Sequence, residues 1–295
     1  MIQAKQHAKL LRNEPLARYT SWRVGGAADC LFVPDSLETL IAFLTGLDAE
    51  EPVYFIGLGS NLLVRDGGVR GTVVVMHQAL KSIKMDGDYL YADAGVTCAK
   101  LAKFSAANSQ MCAEFMAGIP GTVGGALAMN AGCYGGVTWD IVQQVLTIDR
   151  YGNTHMRKPS EFVIAYRSVK MPVADEWFVG AWFNLVEGDP QESTNKIKDL
   201  LAKRLASQPL NLPSGGSTFR NPEGDYAARL IEASGLKGFQ VGGAQVSDKH
   251  ANFIVNVGKC SAQDIESLIE QVKQVVFEQQ GVLLQQEVKV IGEYA

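Results

Sequence analysis

Gly118-Ile-Pro-Gly-Thr-Val-Gly-Gly-Ala-Leu-Ala-Met-Asn-Ala-Gly132 is the stretch around which the chain is organised, with five glycines in fifteen residues. Glycine leaves backbone N–H groups uncovered and tolerates the positive-φ turns that aim successive amides at one anion. A flexible linker is the plainer reading, but linkers are rich in Ser and charge, whereas Ile119, Val123, Leu127 and Met129 are interleaved here. The stretch therefore reads as an ordered, packed, phosphate-seeking loop. A second loop, Gly57-Leu-Gly-Ser-Asn-Leu-Leu-Val64, follows the apolar run Val53–Ile56. It departs from GxGxxG and opens no long helix, which disfavours a dinucleotide-binding Rossmann unit. The absence of GxxxxGK[ST] disfavours a P-loop nucleoside triphosphatase. Two such loops point to a ligand with a diphosphate.

Around them the chain alternates strand and helix signals. Cys30–Val33 and Val53–Ile56 read as strands flanking a helix with Leu37, Leu40, Ile41 and Leu44 on one stripe, opened by Asp35 and Glu38 as a capping box. Thr72–Met76 is a further strand, and Asp86-Gly87 predicts a hairpin between Ile83–Met85 and Tyr89–Ala92. Thr97 caps a helix over 98–108. Strands follow at Ile141–Asp149 and Phe178–Leu185, with a turn at Tyr151-Gly-Asn153. From Pro190 the composition changes, and Ser193–Ala206 reads as a charged amphipathic helix marking a boundary. Beyond it come a turn-rich loop at Pro213–Pro222, a helix at 225–234 stopped by Gly235, and a strand Phe253–Val257. Ser261 with Asp264 opens a long helix striped by Ile265, Leu268, Ile269, Val272 and Val276, and Leu283–Ile291 closes the chain as a strand.

With 295 residues the chain is long for one core, and two or three lobes are expected. Its 47% hydrophobic and 20% charged residues are ordinary for a soluble globular protein. A net charge of −4, with no basic block, argues against nucleic-acid partners. No apolar run is long enough to span a membrane, and the polar start Met1–Arg12 lacks the apolar core of a signal peptide. Cys30, Cys98, Cys112, Cys133 and Cys260 are odd in number and scattered, as are four histidines, His7 among them. This predicts reduced thiols in a cytoplasm and no metal site.

Four later features carry potential chemistry. Arg167 follows the apolar run of Phe162–Tyr166, where a guanidinium either braces a carboxylate of the protein or meets an anionic ligand. Ser217 follows Gly215-Gly216; outside a GxSxG elbow, a turn hydroxyl is the simpler reading. Glu287 shares a strand face with Gln285 and Lys289, opposite Leu284, Val288 and Val290, and the pattern alone favours a solvated carboxylate. Lys249-His250 is a basic turn, either solvated or phosphate-binding.

Taken together and in order, Trp22-Arg-Val-Gly-Gly26, the loop from Gly57, Glu114-Phe-Met-Ala-Gly-Ile-Pro-Gly-Thr-Val-Gly-Gly-Ala126, Asn130-Ala-Gly132, Tyr166-Arg167, Gly216-Ser-Thr-Phe-Arg-Asn-Pro222 and Lys249-His-Ala-Asn-Phe-Ile-Val-Asn256 closely resemble the UDP-N-acetylenolpyruvoylglucosamine reductase family. The resemblance covers residues 10–294 and the shorter subtype of that family, without its tyrosine-bearing insertion. One departure is Val169-Lys170-Met171 after Tyr166-Arg167-Ser168, where the family pattern has a second small polar residue and an aromatic.

The resemblance implies an α+β protein with two FAD-binding lobes of the vanillyl-alcohol-oxidase/PCMH type, residues 1–80 and 81–190, and a substrate lobe, 191–295. It implies reduction of the enolpyruvyl ether of UDP-N-acetylglucosamine to UDP-N-acetylmuramate with NADPH, a cytoplasmic step of peptidoglycan synthesis. The small-molecule UDP-sugar is the implied partner, with no nucleic acid, membrane or obligate protein partner. Carried over position by position, Ile56, Gly57, Gly59, Ser60, Asn61 and Leu62 of one loop would hold FAD. So would Gly118, Ile119, Pro120, Gly121, Thr122, Gly124, Gly125, Ala126, Asn130, Ala131 and Gly132 of the other. Neither loop has a histidine, so the flavin is expected to be non-covalent. Ser217 matches the proton donor, and Arg167 and Glu287 match the residues that stabilise the intermediate. Glu287 must be protonated to help, which burial would favour. Asn221, Lys249, His250 and Asn252 match positions lining the substrate lobe. An oxidase on the same scaffold, and a nucleotide-sugar-binding protein without catalysis, are the competing readings.

Overall fold

Val142–Asp149 lies inside the larger sheet because its side chains are wanted on both faces. In the computed structural model, which describes residues 8–77 and 79–295, it pairs antiparallel with Thr154–Arg157 and with Glu176–Phe183. Tyr89–Asp93 and Ile83–Asp86 extend that sheet to five strands. The first seven residues of the polar start, His7 included, lie outside the described residues. Both expected turns form. Gly87 takes φ +62° and Gly152 φ +82°, and the Asp149 carboxylate accepts the N–H groups of Tyr151 and Asn153 at 2.9 Å each.

One face of the sheet buries Leu90, Ala92, Val145, Ala181 and Phe183 against the helices Cys98–Ala107 and Val123–Met129. The other buries Ile148 and Val179 with Phe32, Leu40, Leu44 and Val74. Leu40 and Leu44 come from the helix Leu37–Thr45, whose cap is Ser36 rather than Asp35. Thr39 stands three residues after Ser36, and its hydroxyl reciprocates the cap by accepting the Ser36 N–H at 3.1 Å, so the helix opens one residue late. Val53–Ile56 pairs in parallel with residues 72–75. The amphipathic helix runs Pro190–Ser207, longer than its periodicity indicates because proline is tolerated in the first turn. These elements, the last turn of that helix excepted, belong to a unit that holds Leu31–Gly57 and Thr72–Lys203.

A second unit holds Arg12–Cys30, Leu58–Gly71 and Arg204–Ala295. Its four-stranded antiparallel sheet runs in the order Ser214–Ser217, Phe253–Asn256, Ala244–Val246, Gln240–Val241. The expected stripe of the helix Ala262–Gln280 is fully buried against Ile231, Ala244, Val246 and Ile254. Trp22 and Leu63 are buried in this same core. Leu283–Ile291 is not one strand. Gln286 makes a single bridge to Phe219, whereas Lys289–Ile291 pairs in parallel with Leu62–Val64. The two pieces have different partners, so the chain bends between them at Val288, whose side chain is buried.

Candidate active site

In the first unit the glycine loop is built from its flanks inward. The 3-10 helix Glu114–Gly118 is buried throughout. Its Glu114 carboxylate accepts the Cys112 N–H at 3.1 Å, the Lys196 ammonium at 3.3 Å and the Ser193 hydroxyl. Burial raises the Glu114 pKa, but these hydrogen bonds outweigh it and hold the carboxyl below its ordinary value. Ile119 then turns the chain, its N–H donating to Met116 O at 3.1 Å. The Gly121 carbonyl accepts the Cys98 N–H at 3.0 Å, and Thr122 caps the helix Val123–Met129. The first-turn amides of that helix already have protein acceptors: Val96 O for Val123, Ala94 O for Gly124 and the Thr122 hydroxyl for Gly125. Pro120 has no N–H to give, so the amides here without an acceptor among the described residues are those of Gly121 and Thr122.

The helix ends at Asn130, in the left-handed region at φ +40°, behind the buried Ala126. Asn130 Oδ1 accepts the Trp139 N–H at 3.2 Å, and its Nδ2 donates to Ala165 O at 3.4 Å. Ala131 O accepts from the Thr138 N–H and hydroxyl. Ala165 starts the turn of a hairpin, Val163–Ala165 with Ser168–Lys170, in which Ala165 pairs with Ser168. Tyr166 and Arg167 are therefore the two turn residues. Arg167 adopts φ +54°, and its guanidinium donates to Gly132 O at 2.8 Å and lies 5.3 Å from the Tyr166 ring centroid. The structure thus joins Arg167 to the end of the glycine loop through the Gly132 carbonyl.

In the second unit Ser217 sits at the end of a bulged strand. Ser214 faces Val255 and Ser217 faces Phe253, so this strand carries one residue more than its partner, with Gly216 at φ +76°. The bulge packs on Trp22: a Cβ on Gly215 would lie 2.5 Å from the indole, which is fully buried and donates to Ile254 O at 2.8 Å. Glu287 comes to the same place from the far end of the chain, its N–H donating to Thr218 O at 2.8 Å. The glycine-loop residues Ser60 and Asn61 border both. Ser60 O lies 3.9 Å from the Cβ position of Gly216, and Asn61 Nδ2 donates to Glu287 O at 3.3 Å. Ser217, Glu287 and the loop's second half are therefore adjacent, with Glu287 half-buried. Thr218, whose hydroxyl is fully buried and has no hydrogen-bond partner among the described residues, carries no local signal that could have singled it out.

Both loops fit an anionic diphosphate. Gly59 has φ +60°, and a Cβ there would lie 2.1 Å from Tyr19 O, so no side chain can cover the loop. Its amides at Leu58, Gly59, Ser60 and Asn61 have no acceptor among the described residues, and Leu62 begins the strand behind them. At Gly57, which follows Ile56 at the strand end, a Cβ would lie 2.3 Å from the Thr122 hydroxyl oxygen. Such uncovered donor arrays suit phosphate oxygens.

The four remaining candidates divide. Asn252 is buried, and its amide closes both hydrogen bonds of the Phe219 peptide, at 2.9 and 2.8 Å, so it shapes the segment after Ser217. Asn221 accepts the Ala227 N–H at 3.1 Å and lines a cavity of about 230 Å³ with Arg220, Glu223 and Gln285. Lys249 donates to Leu205 O at 2.7 Å. His250 accepts the Asn252 N–H at 3.3 Å, and burial pushes its imidazole below the ordinary pKa, favouring the neutral ring. A larger cavity of about 490 Å³ in the first unit includes Asp35, Lys84, Tyr91 and Asp93 but none of the sequence-predicted site residues. Its Asp93 carboxylate is already taken by Tyr91 and Ser82, at 2.7 and 2.6 Å.

Comparison with known proteins bears on both units. Residues 208–291 match the family model of the UDP-N-acetylenolpyruvoylglucosamine reductase C-terminal domain, and residues 28–156 match that of an FAD binding domain. The chain is 53% identical to the UDP-N-acetylenolpyruvoylglucosamine reductase of Nitrosospira multiformis, over 96% of this chain and 89% of the relative. It is 54% identical to that of Methylococcus capsulatus, over 96% and 93%. Among solved structures it is similar to UDP-N-acetylenolpyruvylglucosamine reductase from Thermus caldophilus, with a TM-score of 0.82, 31% identity, and coverage of 96% of this chain and 98% of that one.

Proposed function

The chain belongs to the UDP-N-acetylenolpyruvoylglucosamine reductase family, and from that premise we propose how its own residues carry the reaction. The protein is an FAD-containing oxidoreductase of peptidoglycan synthesis, reducing the enolpyruvyl ether of UDP-N-acetylglucosamine to UDP-N-acetylmuramate with NADPH as donor. FAD, when bound, supplies the hydride chemistry. The uncovered amides of Leu58–Asn61, and separately those of Gly121 and Thr122, are of the kind that would suit its diphosphate oxygens. The division into flavin lobes over 1–80 and 81–190 and a substrate lobe over 191–295 is part of this proposal; the FAD-binding match falls within the first two and the C-terminal match within the third.

Hydride addition to the carbon remote from the substrate carboxylate leaves negative charge on the carboxyl side. The Arg167 guanidinium is the group suited to hold it, with paired hydrogen bonds to two oxygens. Glu287, protonated, donates to the same charge; ionised, it would repel it. The Ser217 hydroxyl gives its proton to the neighbouring carbon. The observation that carries this reading is the adjacency of Ser217, Glu287 and the glycine loop, through Thr218 O, Asn61 Nδ2 and Ser60 O. The substrate is a small UDP-sugar, with Asn221, Lys249 and His250 proposed to border it and Asn252 to support them. Among the described residues no helix is long and apolar enough to cross a membrane. The cytoplasm is the proposed compartment, supported by the odd, dispersed cysteines.

Anaerobic half-reactions test the assignment. Ser217→Ala should be bleached by NADPH at nearly the normal rate and reoxidised by the enol ether more slowly by several orders of magnitude. Glu287→Gln should be milder than Glu287→Ala, because an amide still donates. Equal loss in both half-reactions would contradict the role of Ser217, rapid reoxidation by oxygen in place of the enol ether would favour an oxidase, and a protein unable to take up FAD would remove both enzyme readings.

A further inference from the structure

We propose that Asn61 is a positioning residue that holds Glu287 in place for the proton-transfer half of the reaction. The inference rests on the role of Glu287 given above and extends it to a side chain that sequence resemblance assigns to the cofactor. Glu287 belongs to no strand: the bridge at Gln286 precedes it and pairing resumes only at Lys289. Its backbone is nevertheless fixed on both sides. Its N–H donates to Thr218 O at 2.8 Å, and its carbonyl accepts from Asn61 Nδ2 at 3.3 Å. Asn61 is itself anchored, its carbonyl accepting the Lys289 N–H at 3.0 Å where the parallel pairing of Leu62 with Lys289 begins.

Those two bonds flank one Cα and so set the direction in which the Glu287 side chain leaves the backbone. The bond to Thr218 ties that direction to Ser217, one residue away. The bond to Asn61 ties it to the glycine loop, whose Ser60 carbonyl borders Gly216. A carboxyl that must present a proton to a developing charge has to be held within about 0.5 Å of its working position. Without Asn61 the Glu287 carbonyl loses this anchor, in a stretch that no strand ladder supports. Only the Thr218 bond then holds the Glu287 peptide, and the loop is joined to this stretch only two residues on, through Asn61 O and the Lys289 N–H.

The test uses full-length, flavin-loaded protein with Asn61→Ala and with the isosteric Asn61→Asp, neither of which can donate to Glu287 O. In flavin-saturated protein, bleaching by NADPH should slow far less than reoxidation by the enol ether. Reoxidation by the enol ether should slow by about 30- to 100-fold, the size expected when a reacting group is displaced by about 1 Å. Asn61→Ala placed on Glu287→Ala should add no further slowing, since both act through one carboxyl. Equal slowing of both half-reactions in flavin-saturated protein, or multiplying effects in the double variant, would each overturn the proposal. If Glu287→Ala reoxidises normally, the assignment of Glu287 falls, and the proposal with it. If Glu287→Ala is slow and both Asn61 variants are normal, only the proposal falls.

Discussion

Replacing Gly215 by alanine probes how the site aims its hydroxyl. The new Cβ would sit 2.5 Å from two carbons of the Trp22 ring and 2.9 Å from a third. Carbon contacts are comfortable at about 3.5–4.0 Å, so roughly 1 Å must be found. The indole cannot retreat freely, being fully buried and tied to Ile254 O at 2.8 Å. Overpacking of this kind costs about 1–3 kcal/mol. The softer response is for the bulge to move, which carries Ser217, two residues on, by a comparable distance. A shift of about 1 Å in a reacting group costs on the order of 100-fold. Gly215→Ala is therefore expected to melt a few degrees lower, to bind FAD and be bleached by NADPH almost normally, and to reoxidise with the enol ether about 100-fold more slowly. Gly87→Ala is the contrast: its φ of +62° strains an alanine backbone, as Gly215 does not, yet no atom lies within 4 Å of the added Cβ. Stopped-flow absorbance in the two half-reactions, beside thermal melting, gives the answer. A Gly215→Ala protein that melts and reoxidises like the wild type would refute the reasoning that Trp22 sets the bulge.

Other expectations concern the glycine loops. Glu114→Gln removes a buried charge that accepts from Cys112, Ser193 and Lys196, and should cost about 1.5–3 kcal/mol together with weaker FAD binding. Because the folded-state pKa of Glu114 lies below its ordinary 4.5, its contribution is present above that pH and fades as pH falls through the folded value. The melting gap between wild type and Glu114→Gln should thus be full at neutral pH and close in acid; a gap that widens in acid would be the wrong sign. Gly57→Ala places a Cβ 2.3 Å from the Thr122 hydroxyl oxygen and should lower FAD affinity by at least about tenfold, a 1.4 kcal/mol effect. Adding Thr122→Ala removes that oxygen and should restore part of the loss, measured by flavin fluorescence, and no recovery would count against the contact.

Local chemistry explains which features were legible in the sequence. The caps at Thr97 and Ser261, the turns at Gly87 and Gly152 and the buried stripe of Ile265 to Val276 depend on neighbours a few residues apart, where periodicity and turn propensity act. The two glycine loops stood out for the same reason, since uncovered amides are a property of composition. Spacing alone left Arg167 between two readings and leaned toward solvent for Glu287. The tertiary structure alone tied the Arg167 guanidinium to Gly132 O, and it joined the Asn252 amide to the Phe219 backbone. Ser217, Glu287 and Asn61 meet because strands far apart in sequence pair with one another, and Trp22 shapes the bulge from nearly two hundred residues away. Such contacts form only when a hydrophobic core closes long loops, and the free energy that selects them resides in that core and not in any local run of residues.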